Sequence, residues 1–80
     1  MTEAEPSEED RRQVRIGAAW IMLRRERKSL LSDSDWTQGR DSPLTIEKQD
    51  EWAVYRQALR DLPSTITDPT NVTWPTPPPN

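Results

Sequence analysis

The chain has 80 residues, which is room for one small domain, and its formal net charge is −3. It contains no cysteine and no histidine. This composition excludes disulfides and thiol chemistry, and it removes the commonest metal ligand and the commonest general base. We therefore expect a protein that is not an enzyme, with no catalytic residue, no metal site and no cofactor.

Large aromatic side chains supply an unusual share of the apolar surface. The apolar fraction is 31%, which is below the roughly 45–50% of ordinary globular domains, yet the chain has four tryptophans and one tyrosine. Aromatic residues bury large areas with few rotatable bonds and are enriched at the energetic centres of interfaces. We therefore expect a core that a partner completes.

Residues 1–6 form an acidic N-terminal segment without the features of a targeting signal. The sequence MTEAEPSEEDRR has neither an apolar secretory run nor the acid-poor character of a transit peptide. The longest uncharged helical run, IGAAWIML, is far shorter than the roughly 20 residues that cross a bilayer. The protein is expected to act where it is made, without a membrane.

A first helix is predicted over residues 7–31. Ser7 is a candidate N-cap with Asp10 three positions on, and the acidic residues that follow suit the positive end of the helix dipole. The apolar residues form one seam with a wider flank: Ile16, Trp20, Leu23 and Leu30 in the seam, and Val14, Ala18 and Ile21 beside it. The seam contacts either the second helix or a second copy of the chain. Gly17 indicates a weak point or a close contact.

The connection, residues 32–43, contains SDWTQGRDSP and leads to a second helix over residues 44–62. Ser34 or Asp35 is expected to cap a short turn, and Trp36 either closes the end of the hairpin or inserts into a partner. The second helix opens at Ser42, which would place proline at the first helical position, or at Thr45. Both starts remain open.

The second helix is expected to end near Leu62, because Pro63 disfavours helical geometry in the residue before it. Its apolar residues repeat at spacings of three and four: Trp52, Tyr55, Leu59 and Leu62. Residues 63–80 then hold six of the eight prolines and no lysine or arginine. The chain is thus predicted to be all-α, a two-helix antiparallel hairpin with an extended proline-rich docking tail, completed by a partner.

Trp52, Arg56 and Arg60 follow one another at four-residue steps and share one side of the second helix. Two arginines at this spacing repel each other by a few tenths of a kcal/mol unless acids lie nearby. Candidate acids are Asp33, Asp35, Asp41, Asp61 or carboxylates of a partner. Trp52 can also accept Arg56 over its ring, and a solvated pair of arginines is the plain alternative.

The first helix is rich in positive charge, with seven cationic residues between Arg11 and Lys28. Acidic residues lie directly before this run, and the whole chain is acidic. A nucleic-acid-binding domain normally carries a net basic charge. A solvated helix face is therefore favoured over a small regulator that binds nucleic acid, and no small-molecule substrate is indicated.

Three motifs in fixed order resemble one protein family: SDWTQ followed by D-x-P-L, then W-x-x-Y-R-Q-A-L-R-D-L-P, then V-x-W-P-x-x-P. Together they look like the phage tail assembly chaperone family, small proteins associated with the tail fibres of bacteriophages. The resemblance covers residues 24–77. Gly39 and Arg40 depart from the pattern, where an apolar residue or proline is expected, and residues 1–23 gain nothing from it.

The resemblance implies assistance to, or permanent association with, a phage tail fibre or baseplate protein. Chaperone action would take place in the bacterial host cytoplasm during assembly, whereas a permanent structural subunit would be found in the virion tail. Self-association is a further possibility. The motif positions carried over as partner-binding residues are Asp35, Trp36, Trp52, Tyr55, Arg56, Leu59, Arg60, Trp74 and Pro75. Thr37, Asp61 and Pro63 belong to the same motifs.

Overall fold

The computed structural model describes residues 5–79, which form two α-helices and one 3₁₀ turn. Helix α1 spans Glu8–Asp33, the 3₁₀ turn spans Asp35–Gln38 and helix α2 spans Ile46–Thr65. The described residues contain no strand, so the predicted all-helical hairpin is confirmed. Residues 1–4 of the predicted acidic segment and residue 80 of the predicted tail lie outside the described part.

Helix α1 begins at a reciprocal capping box. The backbone N–H of Asp10 donates to the Ser7 hydroxyl at 3.1 Å, and the Ser7 N–H donates to the Asp10 carboxylate at 3.4 Å. Two of the backbone donors that a helix start leaves without partners are thereby satisfied. The predicted N-cap at Ser7 is confirmed, and α1 runs two residues beyond the predicted end, to Asp33.

Helix α2 begins after Thr45, so the start at Ser42 is wrong. The Thr45 hydroxyl accepts a hydrogen bond from the Lys48 N–H at 3.2 Å, which makes Thr45 the N-cap. The Ser42 hydroxyl instead accepts from the N–H of Leu44 two residues on, and the Ser42 N–H donates to the Gly39 carbonyl. Ser42 is therefore used in a local turn before the helix, and Asp41-Ser42-Pro43 does not launch α2.

Helix α2 passes through Pro63 and ends at Thr65, so the predicted end at Leu62 is also wrong. Proline has no N–H to donate to the Leu59 carbonyl, so one helix hydrogen bond is lost, and the loss falls in the last turn and not in the interior of α2. Burial of a leucine side chain is worth about 2 kcal/mol, and both Leu59 and Leu62 are buried. The packing of these leucines therefore keeps the last turn helical.

The helices are antiparallel, and their register is set by contacts at two levels. The Arg27 side chain donates to the Arg60 carbonyl, and the Arg56 side chain donates to the Leu31 carbonyl. In the two described helices, the buried apolar side chains are Leu23 of α1 and Tyr55, Leu59 and Leu62 of α2. Leu30 is half-buried at the same interface. The C-terminal part of the predicted seam, Leu23 and Leu30, thus faces α2 within one chain, whereas Ile16 lies beside the returning tail.

The predicted flank of the α1 seam is exposed. Val14, Ala18 and Ile21 all face solvent. Each helical residue turns by 100°, so Val14 and Ile21 lie almost opposite Leu23 on α1. The prediction that these residues widen the seam is therefore wrong, because the α1 interface with α2 is narrower than the apolar content of α1 suggested.

Beyond α2 the chain turns back and follows the hairpin. The Asp68 carboxylate accepts from the backbone N–H of Thr70 at 2.9 Å, and the Asp68 carbonyl accepts from the Asn71 N–H at 3.2 Å, so the chain reverses here. The Thr70 hydroxyl also donates to this carboxylate, and the hydrogen bonds from the Thr70 hydroxyl and the Thr70 N–H hold the pKa of the Asp68 carboxyl below its usual value. Residues 66–79 contain no helix or strand. Neither described helix is long and apolar enough to cross a membrane.

Candidate partner-binding site

The connection end of the hairpin is organised around the guanidinium of Arg56, which is buried in α2. Arg56 Nη1 donates to the Leu31 carbonyl at 2.6 Å and to the Ser34 hydroxyl at 2.6 Å, while Nη2 donates to Asp35 Oδ1 at 2.8 Å. One side chain therefore closes the C-terminal end of α1 and holds the start of the 3₁₀ turn. Of the candidate acids, Asp35 is the one that pairs with Arg56.

Two further side chains attach the 3₁₀ turn to the helices. The fully buried Thr37 hydroxyl donates to the Ser34 carbonyl at 2.7 Å. The Gln38 amide donates to the Gln49 carbonyl of α2 at 2.9 Å and to the Thr37 hydroxyl at 3.2 Å. The turn is thus bonded at both ends, which fixes the position of Trp36 between them.

Three aromatic rings form a continuous row beside this turn. The Trp36 and Trp52 centroids lie 6.2 Å apart with an interplanar angle of 54°, and Trp52 meets Tyr55 edge to face at 5.6 Å. Both separations lie in the range where aromatic pairs attract beyond their buried area. Tyr55 is buried and Trp52 half-buried, whereas Trp36 keeps 49% of its surface exposed. The row therefore leads from the core to an accessible aromatic ring.

The hydroxyl of Tyr55 lies where its ionised form is disfavoured. Desolvation by burial raises the pKa of Tyr55 above its ordinary value of 10.0, and the charge of Glu26 on α1 raises it further. Tyr55 also borders a shallow groove together with Leu30, Trp52 and Pro77. Tyr55 is consequently a packing residue, neutral at physiological pH.

The cation–π contact suggested for Trp52 is not the one that forms. The guanidinium of Arg56 is directed to Leu31, Ser34 and Asp35. Arg24 instead lies over the Trp20 ring, 5.8 Å from its centroid, on α1. Arg60, one turn after Arg56, is exposed. The two arginines therefore have different environments, although their spacing suggested one shared role.

Trp74 and Pro75 are half-buried in the returning tail. Trp74, Pro69 and Val72 line a groove whose other wall is α1, at Met22 and Leu23. Further along, Pro77 lies at the groove with Trp52 and Tyr55, and the Lys48 ammonium donates to the Pro79 carbonyl at 2.9 Å. The tail therefore packs along the chain's own hairpin and reaches its connection end.

The predicted site residues fall into two groups by accessibility. Asp35, Trp36 and Arg60 are exposed. Trp52 is half-buried beside Trp36, and Trp74 and Pro75 are half-buried in the returning tail. Tyr55, Arg56 and Leu59 are buried and act on the surface only through what they position. Sequence reasoning missed Gln38 as an anchor, because a single amide in a loop has no periodicity that would mark it. Thr37 was recognised only through its motif.

The sequence model described as phage tail assembly chaperone protein matches residues 20–79, which are 60 of the 80 residues. The match includes the aromatic row, the Arg56 contacts and the returning tail, and it leaves out the first part of α1. No curated protein sequence and no solved structure matches the chain. The motif resemblance is thus confirmed over three quarters of the sequence, and the chain belongs to the phage tail assembly chaperone family.

Proposed function

We propose that this chain binds a phage tail fibre or baseplate protein and assists its folding and assembly. The contact would be made by the connection surface, which we define as Asp35, Trp36 and the accessible edge of Trp52. Membership of the family supports a role in tail assembly. Because the family is one of chaperones, we infer a binding role rather than a catalytic one, exercised in the host cytoplasm during assembly.

The observation that carries the proposal is the half-exposed ring of Trp36, 49% accessible on a turn bonded at both ends. A tryptophan that is already immobilised loses little conformational freedom on binding, so its apolar surface is available for affinity. Buried tryptophans are among the residues that contribute most at interfaces, at about 2 kcal/mol or more. Such a residue on a chaperone is suited to cover apolar surface of an unassembled partner.

Charge gives the connection surface a polar rim. The Asp35 side chain is 69% exposed although one of its oxygens holds Arg56. A carboxylate can accept several hydrogen bonds at once, so Asp35 can accept backbone N–H groups of a partner while keeping Arg56. Unpaired strand edges expose rows of such N–H groups and aggregate. We therefore propose that the partner surface is apolar or a strand edge of a fibre protein before it trimerises.

Arg60 extends the same proposal toward acidic groups of the partner. It is the exposed arginine of the pair and lies one helical turn from Arg56. Exposed charges at the rim of an interface contribute to orientation and association rate more than to affinity. Arg60 would thus set the register of the complex, while the buried Arg56 keeps the connection surface in shape.

The test is co-expression with the tail fibre protein of the same phage, followed by affinity purification and size-exclusion chromatography with mass determination. Trp36→Ala should reduce complex yield strongly while leaving the fold intact, since the ring is half outside the core. Ile46→Ala is the matched control, because Ile46 is an exposed large apolar residue at the start of α2. Equal yields for wild type, Trp36→Ala and Ile46→Ala would refute the proposal.

Mass spectrometry of purified phage particles separates an assembly factor from a retained subunit. An assembly chaperone should be present in the complex from infected cells and absent from mature particles. Stoichiometric amounts in mature particles would instead identify a permanent component of the fibre or baseplate.

A further inference from the structure

The N-terminal half of α1 extends beyond α2. In the antiparallel register, Arg27 lies level with Arg60 and Leu31 with Arg56. The last residue of α2, Thr65, therefore lies close to the level of Met22. Residues 8–18 of α1 project past this point, and the returning tail covers them on one side only, where Thr67–Thr70 lie against Arg12, Arg15 and Ile16.

The opposite side of this projection carries an apolar stripe, which we call the outer face of α1. Val14 is 72% exposed and Ile21 is 51% exposed. Ala18 is also exposed, and apart from the backbone of α1 and the neighbouring residues, no described atom lies within 4 Å of where a Cβ on Gly17 would be. Helical geometry places all four on one side, because positions three, four and seven apart are neighbours on a helix surface.

The outer face is symmetric about the midpoint between Gly17 and Ala18. Val14 and Ile21 are equally far from this midpoint along the helix, and so are Asp10 and Arg25. Along the face, from the N-terminus, an acidic residue, an apolar residue, two small residues, an apolar residue and a basic residue follow one another: Asp10, Val14, Gly17, Ala18, Ile21 and Arg25. Reversing the direction of the helix exchanges apolar with apolar and acid with base.

This symmetry is complementary to itself when two copies of α1 cross antiparallel. Val14 of each copy would meet Ile21 of the other, and each Asp10 would lie near the other copy's Arg25. A twofold interface requires the same patch on both subunits to match itself in this way. The small residues at the centre would allow the helix backbones to approach closely. A parallel pair would place Asp10 beside Asp10 and Arg25 beside Arg25, which is repulsive.

We propose that the outer face of α1 binds a second copy of this chain, forming an antiparallel, twofold-symmetric dimer. The dimer would place the two connection surfaces at opposite ends of an elongated particle, because each hairpin extends away from the crossing point. A single helix crossing gives an interface below about 1,200 Å², the size class of weak complexes. We therefore expect a dissociation constant in the micromolar range.

Sedimentation velocity of the full chain over a concentration series tests the dimer. Val14→Asp should weaken it by at least about tenfold, because two apolar contacts are lost and two carboxylates enter an apolar interface. Val54→Asp is the matched control: Val54 is 73% exposed on α2, so the same substitution adds the same charge elsewhere. A monomer at all concentrations would overturn the proposal, as would equal effects of the two substitutions.

Charge exchange tests the pairing of Asp10 with Arg25. Asp10→Arg alone and Arg25→Glu alone should each weaken the dimer, and the double variant should restore it relative to Asp10→Arg. Asp10→Arg and the double variant lack the same capping carboxylate, so the difference between them reports on the pair and not on the cap. Absence of any recovery would overturn the antiparallel arrangement.

Crosslinking locates the crossing point. The chain has no native cysteine, so Ala18→Cys introduces a single thiol next to the proposed twofold axis. Oxidation should give a disulfide-linked dimer in high yield, whereas Val54→Cys should give little. Equal yields from the two variants would place the contact between copies elsewhere and refute the proposal. The same result is expected if the outer face of α1 binds a helix of the tail protein and not a second copy.

Discussion

Replacement of Arg56 by methionine is expected to destabilise the hairpin more than any change to its acidic partner. Arg56 donates to the buried Ser34 hydroxyl, to the Leu31 carbonyl and to the carboxylate of Asp35. Hydrogen bonds that involve a charged group are worth about 1.5–3 kcal/mol each. Methionine retains much of the apolar stem, which recovers part of the packing.

The loss of stability in Arg56→Met depends on how much the two buried hydrogen bonds, to Leu31 and Ser34, contribute relative to the exposed one, to Asp35. The bonds to Leu31 and Ser34 lie in the interior, and their contributions overlap, so we expect Arg56→Met to lower the free energy of unfolding by about 2–4 kcal/mol. The Asp35 carboxylate is largely solvated, and an ion pair with such a group is worth about 1 kcal/mol or less. Asp35→Asn should therefore cost no more than about 1 kcal/mol.

Urea denaturation followed by tryptophan fluorescence and far-UV circular dichroism measures both variants. Small domains have about 0.05–0.15 kcal/mol of stability per residue, so Arg56→Met would remove a large part of the total. Arg56→Lys keeps the charge and loses the fork, and it should lie between the wild type and Arg56→Met. If Asp35→Asn costs as much as Arg56→Met, the ion pair dominates and the reasoning from the two buried bonds is wrong.

Three further predictions concern the core, the tail and pH. Leu59→Ala should cost about 2–5 kcal/mol in urea denaturation because Leu59 is fully buried, whereas exposed Val54→Ala should stay within about 0.5 kcal/mol; similar values for both would contradict the core assignment. Trp74→Ala should cost about 2 kcal/mol because the half-buried Trp74 lines a groove with Met22 and Leu23 of α1, and an unchanged melting temperature would show that the tail does not support the fold. The raised pKa of Tyr55 means that its contribution to stability is fully present below pH 10.0 and is lost as pH rises through the higher folded-state pKa. Thermal melts of wild type and Tyr55→Phe should diverge above that pH, and parallel curves would refute the assignment.

Helix content and helix order were predictable because their causes are local. Ser7, Asp10 and Thr45 act within one turn of their own position, and the spacing of apolar residues is a property of each segment alone. The end of α2 was mispredicted for the converse reason. Pro63 is a strong local signal against helix, and the burial of Leu62 by residues distant in sequence outweighs it.

The residues of the candidate site could be proposed from the motifs, but their arrangement in space could not. The motifs brought Trp36, Trp52 and Arg56 together through family resemblance, and the family match confirms that membership. The sequence could not predict that Trp36 is exposed and Arg56 buried, because both residues belong to family motifs and motif membership does not distinguish exposed from buried residues. Gln38 belongs to the quoted SDWTQ motif, but its anchoring role could not be predicted, since that role depends on the distance between a loop and α2.

The sequence by itself determined that there are two helices in this order, the Ser7 cap of α1 and the family, because these depend on neighbouring residues or on ordered motifs. Only the tertiary structure decided which face of α1 meets α2, which acid pairs with Arg56 and where Trp74 packs. The physical reason is that burial is a competition among distant segments for a limited interface. Of the apolar residues on α1, Leu23 is buried and Leu30 half-buried against α2, whereas Val14, Ile21 and Met22 remain exposed.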